Sequence, residues 1–262
     1  MLLFEKVKQA LLENNPQEKI NQVNAINTAL NNNVVDLTPK FNIISIPVPG
    51  RPKKPQLVHP SQVARRKLTT EQGRIALIHA VCHIEFNAIN LALDAVYRFQ
   101  GLPEAFYLDW MRVATEEAKH FNLLVERLAE LESQYGDFVA HNGLWEMAVK
   151  TQHSLVERMA LVPRVLEARG LDVTPGMIER LKNAGDDRTV TILEIILREE
   201  VGHVEIGTRW FRYACEQKGL NSEDTFIELL EKYNVSASKG ALHMDARKQA
   251  GFVDAELEAL VK

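Results

Sequence analysis

Cysteine is nearly missing from this chain. Only Cys82 and Cys215 occur among 262 residues, both inside apolar helical patterns, so no disulfide framework is available. Two buried thiols in a reducing cytoplasm are expected instead. A long uninterrupted apolar run is lacking too. The greasiest window, IALIHAVCHIEFNAINLALDAV, is broken by His79, His83, Glu85 and Asp94, which argues against a membrane span. At the start, MLLFEKVKQALLENN places Glu5, Lys6 and Lys8 where a signal peptide needs apolar residues. Net positive charge is absent: the formal value is −4, so nothing global draws the chain to nucleic acid or to a membrane surface. No glycine-rich flavin or nicotinamide fingerprint occurs, and no alternating strand pattern competes with helix. These absences leave a soluble, cytoplasmic, all-α protein as the expectation.

What is present divides at about residue 68. Residues 2–13 and 17–31 read as two modest amphipathic helices separated by Asn14–Pro16. A stretch holding Pro39, Pro47, Pro49, Pro52, Pro55 and Pro60 follows, a spacing that forbids helix and suggests an extended strap. The apolar side chains of Phe41, Ile43, Ile44 and Ile46 favour a strap that wraps the main domain. Arg51, Lys53, Lys54, Arg65, Arg66 and Lys67 make its second half basic, with no acidic residue between them. Prolines rather than aromatics interleave these cations, so a solvated strap is preferred to an RNA-binding platform.

From Thr69 onward the punctuation is helical. Thr69 with Gln72 reads as a capping box opening a helix that runs to Gln100. A second helix is expected from Pro103 to about Gln134 and a third from about Leu144 to Arg169, kinked at Pro163. A short helix from Thr174–Pro175 to Gly185 precedes a fourth long one, capped by Asp186 or Asp187 and reaching Lys218. Shorter helices are expected at 222–233 and 254–261. Four long helices make a bundle over residues 69–262 the expected architecture, behind the 1–68 helices and strap.

Charges then stand on the wrong face. Ile75, Ile78, Cys82, Glu85, Ile89, Ala92 and Val96 fall at alternating spacings of 3 and 4, the seam that faces a core. Glu85 is therefore a carboxylate within an apolar stripe. On the second helix the stripe is interrupted by Glu117 and His120, and on the fourth by Glu200, His203 and the small Gly207. A lone buried carboxylate costs several kcal/mol or is protonated. Three of them with two imidazoles call for a shared positive partner, and a pair of divalent metals supplies it. A Glu and a His three residues apart lie on one helix face and can reach the same ion. For the third helix the candidates are Glu146, Glu157 and Glu167. Glu157 is chosen because it lies near mid-helix, although it sits off the stripe Leu144, Ala148, Leu155, Met159, Val162, Leu166. The order Glu, Glu-x-x-His, Glu, Glu-x-x-His matches the di-iron carboxylate bundle. Among neighbours, Glu116 and Glu199 could support the imidazoles or form ion pairs, and His153 is expected to be a satisfied interior histidine.

The segments GRPKKPQLVHP, HAVCHIEFNAINLALDAVYRF, DWMRVATEEAKHF, ALVPRVLEARGLDVTPGMI and EIILREEVGHVEIGTRWF resemble a family of bacterial ferritin-like proteins of unknown function, over roughly residues 50–252. The resemblance implies a ferritin-like four-helix bundle and a dinuclear metal site with Glu85, Glu117, His120, Glu157, Glu200 and His203 as ligands. It supplies no substrate, because the wider di-iron carboxylate superfamily spans ferritins, rubrerythrins, oxygenases and a tRNA hydroxylase. Mixed carboxylate and imidazole ligation suits two divalent ions per chain, iron first and manganese second. An O2-dependent oxidase or oxygenase acting on an unknown small molecule is the expected activity. The alternatives are a ferroxidase or iron-handling protein and a metal-stabilised interaction protein. An external electron donor, a homodimeric partner copy and no membrane complete the expectation. One tension remains: residues 135–143 span about 30 Å at full stretch, short of the return a ferritin-like crossover requires.

Overall fold

The computed structural model describes residues 1–38, 43–64, 66–235 and 241–261. Pro39, Phe41 and Arg65, all used above, lie outside the described residues. Among the described residues the chain is all-α, with isolated bridges at Leu2–Asp36 and Leu57–Ala140 in place of any sheet. It divides into two compact units, Met1–Val149 and Lys150–Lys262.

The first unit is built on an antiparallel pair of long helices. Helices α1 (Leu3–Leu12) and α2 (Pro16–Asn31) precede α3 (Glu71–Arg98) and α4 (Glu104–Glu130), and α1 packs on α3 while α2 packs on α4. Asn15 caps α2 by accepting from the backbone N–H groups of Gln17 and Glu18, with Pro16 in the first turn where no donor is needed. Thr70, one residue later than expected, caps α3 by accepting from Gly73 N at 3.1 Å. Helix α3 is long and apolar enough to cross a membrane by length and composition, but 78% of that window is buried within the protein. It is the core helix of this unit.

The strap wraps the first unit. Trp145, on the short helix α5 (Gly143–Lys150), is buried and donates its indole N–H to Ile46 O and Pro47 O. Gly50 N donates to Leu11 O, and a Cβ at Gly50 would fall 2.2 Å from the Leu12 carbonyl carbon, so only glycine fits this approach. Val58 N donates to Ala140 O, and the Arg66 guanidinium lies 4.7 Å over the Phe138 ring. Of the apolar strap residues, Ile46 is buried whereas Ile43 and Ile44 are exposed.

The second unit corrects the expected third helix. Instead of one element from Leu144 to Arg169, α5 ends at Lys150 and a turn follows. Helix α6 (Leu155–Leu161) then passes into a π-helix over Val162–Glu167 and on into α7 (Arg169–Asn183). Ser154 starts α6 by accepting from Glu157 N. Pro163 lacks the N–H of an α-turn, and the wider turn that forms there is closed by Ala168 N donating to Pro163 O at 3.0 Å. Gly170 and Pro175 lie inside α7 and do not interrupt it. The revised start at Leu155 leaves residues 131–154, with α5 among them, between α4 and α6, more than the nine residues that the expected boundaries left.

Helix α8 (Asp187–Glu216) follows α7 after a turn at residues 184–186, capped by Asp186 accepting from Thr189 N. Helices α9 (Ser222–Lys232), α10 (Met244–Gln249) and α11 (Asp254–Leu260) cover it, and of these only α10 was unforeseen. They are fastened by Arg164, whose buried guanidinium donates to Glu256 Oε2 at 2.6 Å and to Thr208 Oγ1 at 3.2 Å, among the rings of Phe211, Phe226 and Phe252.

Candidate metal centre

Glu85 sits midway along α3, and Glu117 and His120 sit midway along α4, where the two helices pack side by side. All three side chains are buried. His120 Nδ1 lies 3.2 Å from Glu85 Oε2 and 3.4 Å from Glu117 Oε2. One ligand atom of each residue lies within 4.8 Å of the others, so this buried Glu/His group can hold a metal ion. Burial alone would lower the His120 pKa. Hydrogen bonds to Glu117 and Glu85, with their charges, reverse that and raise it to about 11. Burial, reinforced by the neighbouring Glu117 charge, pushes the Glu85 carboxyl well above its usual range. Two carboxylates around one imidazole, away from water, form an oxygen-and-nitrogen donor set that could hold a metal ion.

In the second unit Glu200 and His203 lie one turn apart on α8, both buried, with His203 Nδ1 at 3.7 Å from Glu200 Oε2. Gly207 continues the same face. A Cβ there would come within 2.4 Å of Pro163 Cβ, so the glycine lets the π-helix and α8 approach closely.

Glu157 meets a different set of side chains. It lies in the first turn of α6, where its Oε1 accepts from Lys232 Nζ at 3.1 Å and its Oε2 accepts from the Tyr233 hydroxyl. Burial pushes its carboxyl up, but the bonds from Tyr233 and Lys232 hold it below the usual carboxylate range. His153, 3.3 Å from Glu157, is exposed on the preceding turn rather than interior. Ser154 three residues before Glu157 was the missed signal, since that spacing marks a helix start rather than a helix middle. Glu116 meets Arg112 at 3.4 Å and Glu199 meets Arg198 at 3.7 Å, the arginines exposed and the glutamates half-buried. Cys82, one turn before Glu85, is buried, and burial followed by the Glu85 charge raises its thiol pKa, so the thiolate is suppressed.

The sequence reading also missed what steadies α3. Lys19 is fully buried and its ammonium donates to Ala10 O, Leu11 O and Asn90 Oδ1, tying α1 and α2 to the site helix. Its position directly before Ile20 in the stripe Ile20, Val23, Ile26 was the available sign. On the other side His83 meets the Tyr135 hydroxyl at 2.8 Å and His79 Nε2 accepts from Gly136 N at 2.9 Å, which pins the loop after α4 onto α3.

No solved structure matches this chain. A Haemophilus influenzae protein described as uncharacterized is 47% identical over 272 aligned positions, which cover 97% of this chain and 92% of that protein. A family model described as "Protein of unknown function (DUF455)" matches residues 12–258, and the chain belongs to that family.

Proposed function

We propose that the protein carries a dinuclear metal centre, iron in the first instance, and uses it as an O2-dependent oxidase or oxygenase. The observation that carries this reading is the buried Glu85–Glu117–His120 group, whose ligand atoms converge within 4.8 Å between α3 and α4. Glu200 and His203, repeating the Glu-x-x-His spacing on α8, supply the counterpart set. This assignment follows the order of motifs in a ferritin-like bundle. When bound, a pair of ferrous ions supplies the electrons that reduce O2. The chain contributes a carboxylate and imidazole donor set, which releases protons as it takes up a dication, and walls of Ile78, Cys82, Ile89, Val113 and Leu124, which keep water from the α3–α4 side. In that low-dielectric setting the attraction between a dication and the deprotonated donors is strongest. This reading calls for a separate electron donor, since the sequence carries no glycine-rich flavin or nicotinamide fingerprint.

Metal content tests the reading. Protein purified without chelators is expected to hold about two Fe or Mn per chain, and a Glu117→Ala/His203→Ala variant to hold none. Fe(II) added to apo-protein in air is expected to consume O2. If neither protein holds metal after anaerobic Fe(II) loading, the reading fails. If metal binds and O2 is untouched, the oxidase assignment alone fails. A shell of many subunits seen by light scattering would favour iron storage instead.

A further inference from the structure

We propose that the third-helix carboxylate of the centre is Glu167, delivered by the π-helix, so that Glu167, Glu200 and His203 form a ligand set within the second unit; this rests on the metal-centre reading above. The short turn at 184–186 makes α7 and α8 antiparallel, and two contacts fix their register. Pro163 packs against Gly207, and Arg164 Nε donates to Thr208 Oγ1. Glu167 lies four residues from Pro163 toward the turn, and His203 lies four residues from Gly207 toward the same turn, so the two stand at one level. Glu157 lies six residues to the other side, level with Tyr213, which puts it about 15 Å along the axis from His203.

The face agrees with the level. Gly207, His203 and Glu200 follow one another at steps of 4 and 3 on α8 and share a face. Pro163 presses on that face at Gly207, and Glu167 follows Pro163 by nearly one full turn of the π-helix. A π-turn holds one residue more than an α-turn, so all that follows is rotated by about 100° relative to an uninterrupted helix. The stripe read in α-helical steps ended at Leu166, yet Leu166 is only half-buried while Val165 and Ala168 are buried. The rotation thus turns Glu167 toward the α8 side: the residue is half-buried like Leu166, but its Oε2 is fully buried. π-Helices are unfavourable insertions that recur at functional sites, and here the insertion gives the third helix a carboxylate where α8 offers Glu200 and His203.

The experiment loads apo-protein anaerobically with Fe(II) or Co(II) and reads stoichiometry, affinity and the Co(II) visible spectrum, with helix content followed by circular dichroism. Glu167→Gln is expected to lose one equivalent or bind it about ten-fold or more weakly. Glu157→Gln is expected to match the wild type. Glu167→Asp keeps the charge and shortens the reach by one methylene. It covers the case in which Glu167→Gln does not fold, because shortening a ligand changes the Co(II) spectrum and shortening a structural glutamate does not. Wild-type stoichiometry and affinity in Glu167→Gln, or an unchanged spectrum in Glu167→Asp, overturns the proposal. If Glu117→Ala/His203→Ala loses metal while Glu167→Gln keeps it, the metal-centre reading stands and only Glu167 falls. Absence of metal from the wild type overturns both.

Discussion

At the scale of single residues, buried charge without water is the common theme. Glu85 and Glu117 face one imidazole, and burial with the Glu117 charge holds Glu85 toward its neutral acid form. Glu85→Gln keeps the shape and removes one ionisable group. The apo-variant is expected to melt no lower than the wild type, while the rise in melting temperature on adding Fe(II) or Co(II) disappears. In the wild type that rise corresponds to about 2.7 kcal/mol at a hundred-fold excess over Kd. A variant that melts much lower without metal would show that Glu85 is structural. Lys19 is the opposite case, a buried cation whose three donors meet three acceptors. Lys19→Met strips a donor from the Ala10 and Leu11 carbonyls and is expected to cost about 2–4 kcal/mol in urea unfolding, with metal content unchanged. Burial, opposed by the Glu13 charge, lowers the Lys19 pKa to about 7 from 10.5. Between those values the unfolded chain holds a proton that the folded one has released, so this contribution grows as pH rises from 7 toward 10.5. The variant loses that slope.

At the scale of elements, the histidines of α3 set an acid limit. Burial lowers both His79 and His83 to about 4 from 6.5. His79 must be neutral to accept from Gly136 N. As pH falls from 6.5 toward 4 the unfolded chain takes up protons first and stability is lost, by roughly 2–4 kcal/mol for the pair at pH 5. The expected sign is faster hydrogen exchange in residues 133–142 at pH 5 than at pH 7 after correction for intrinsic rates, with a flatter response in a His79→Gln/His83→Gln variant. An unchanged response in that variant would place the acid sensitivity elsewhere. Elements also explain what the sequence made legible. Helices α3, α4 and α8 are uninterrupted, so steps of 3 and 4 place Glu85, Glu117, His120, Glu200 and His203 on apolar seams, and the structure buries all five. The third helix broke that logic twice. Ser154 begins it late, which moves Glu157 from its middle to its first turn. Pro163 then forces a π-turn, and an inserted residue shifts every later position in a way that periodicity counted in α-helical steps cannot register. The strap was legible as extended from its prolines, but its anchors, such as Trp145 on Ile46 O and Pro47 O, join residues nearly a hundred positions apart and leave no local mark.

At the scale of the whole molecule, the two compact units carry matching inventories. Met1–Val149 holds Glu85 with Glu117-x-x-His120, and Lys150–Lys262 holds Glu200-x-x-His203 with Glu167 on its third helix. If both sets serve one dinuclear centre, as proposed above, bound metal couples the stability of one unit to that of the other. The metal-free protein is then expected to unfold in two calorimetric steps, with proteolytic nicks accumulating near residues 149–154 between the units. Loading with Fe(II) or Co(II) under argon is expected to merge the steps into one, because each unit then loses bound metal when either opens. The Glu117→Ala/His203→Ala variant should keep two steps with or without metal. Metal that raises only the step of one unit would mean that each half binds alone. A metal-free protein that already melts in a single step would mean that packing, without any ion, joins the two halves, and the centre would then add stability without adding cooperativity.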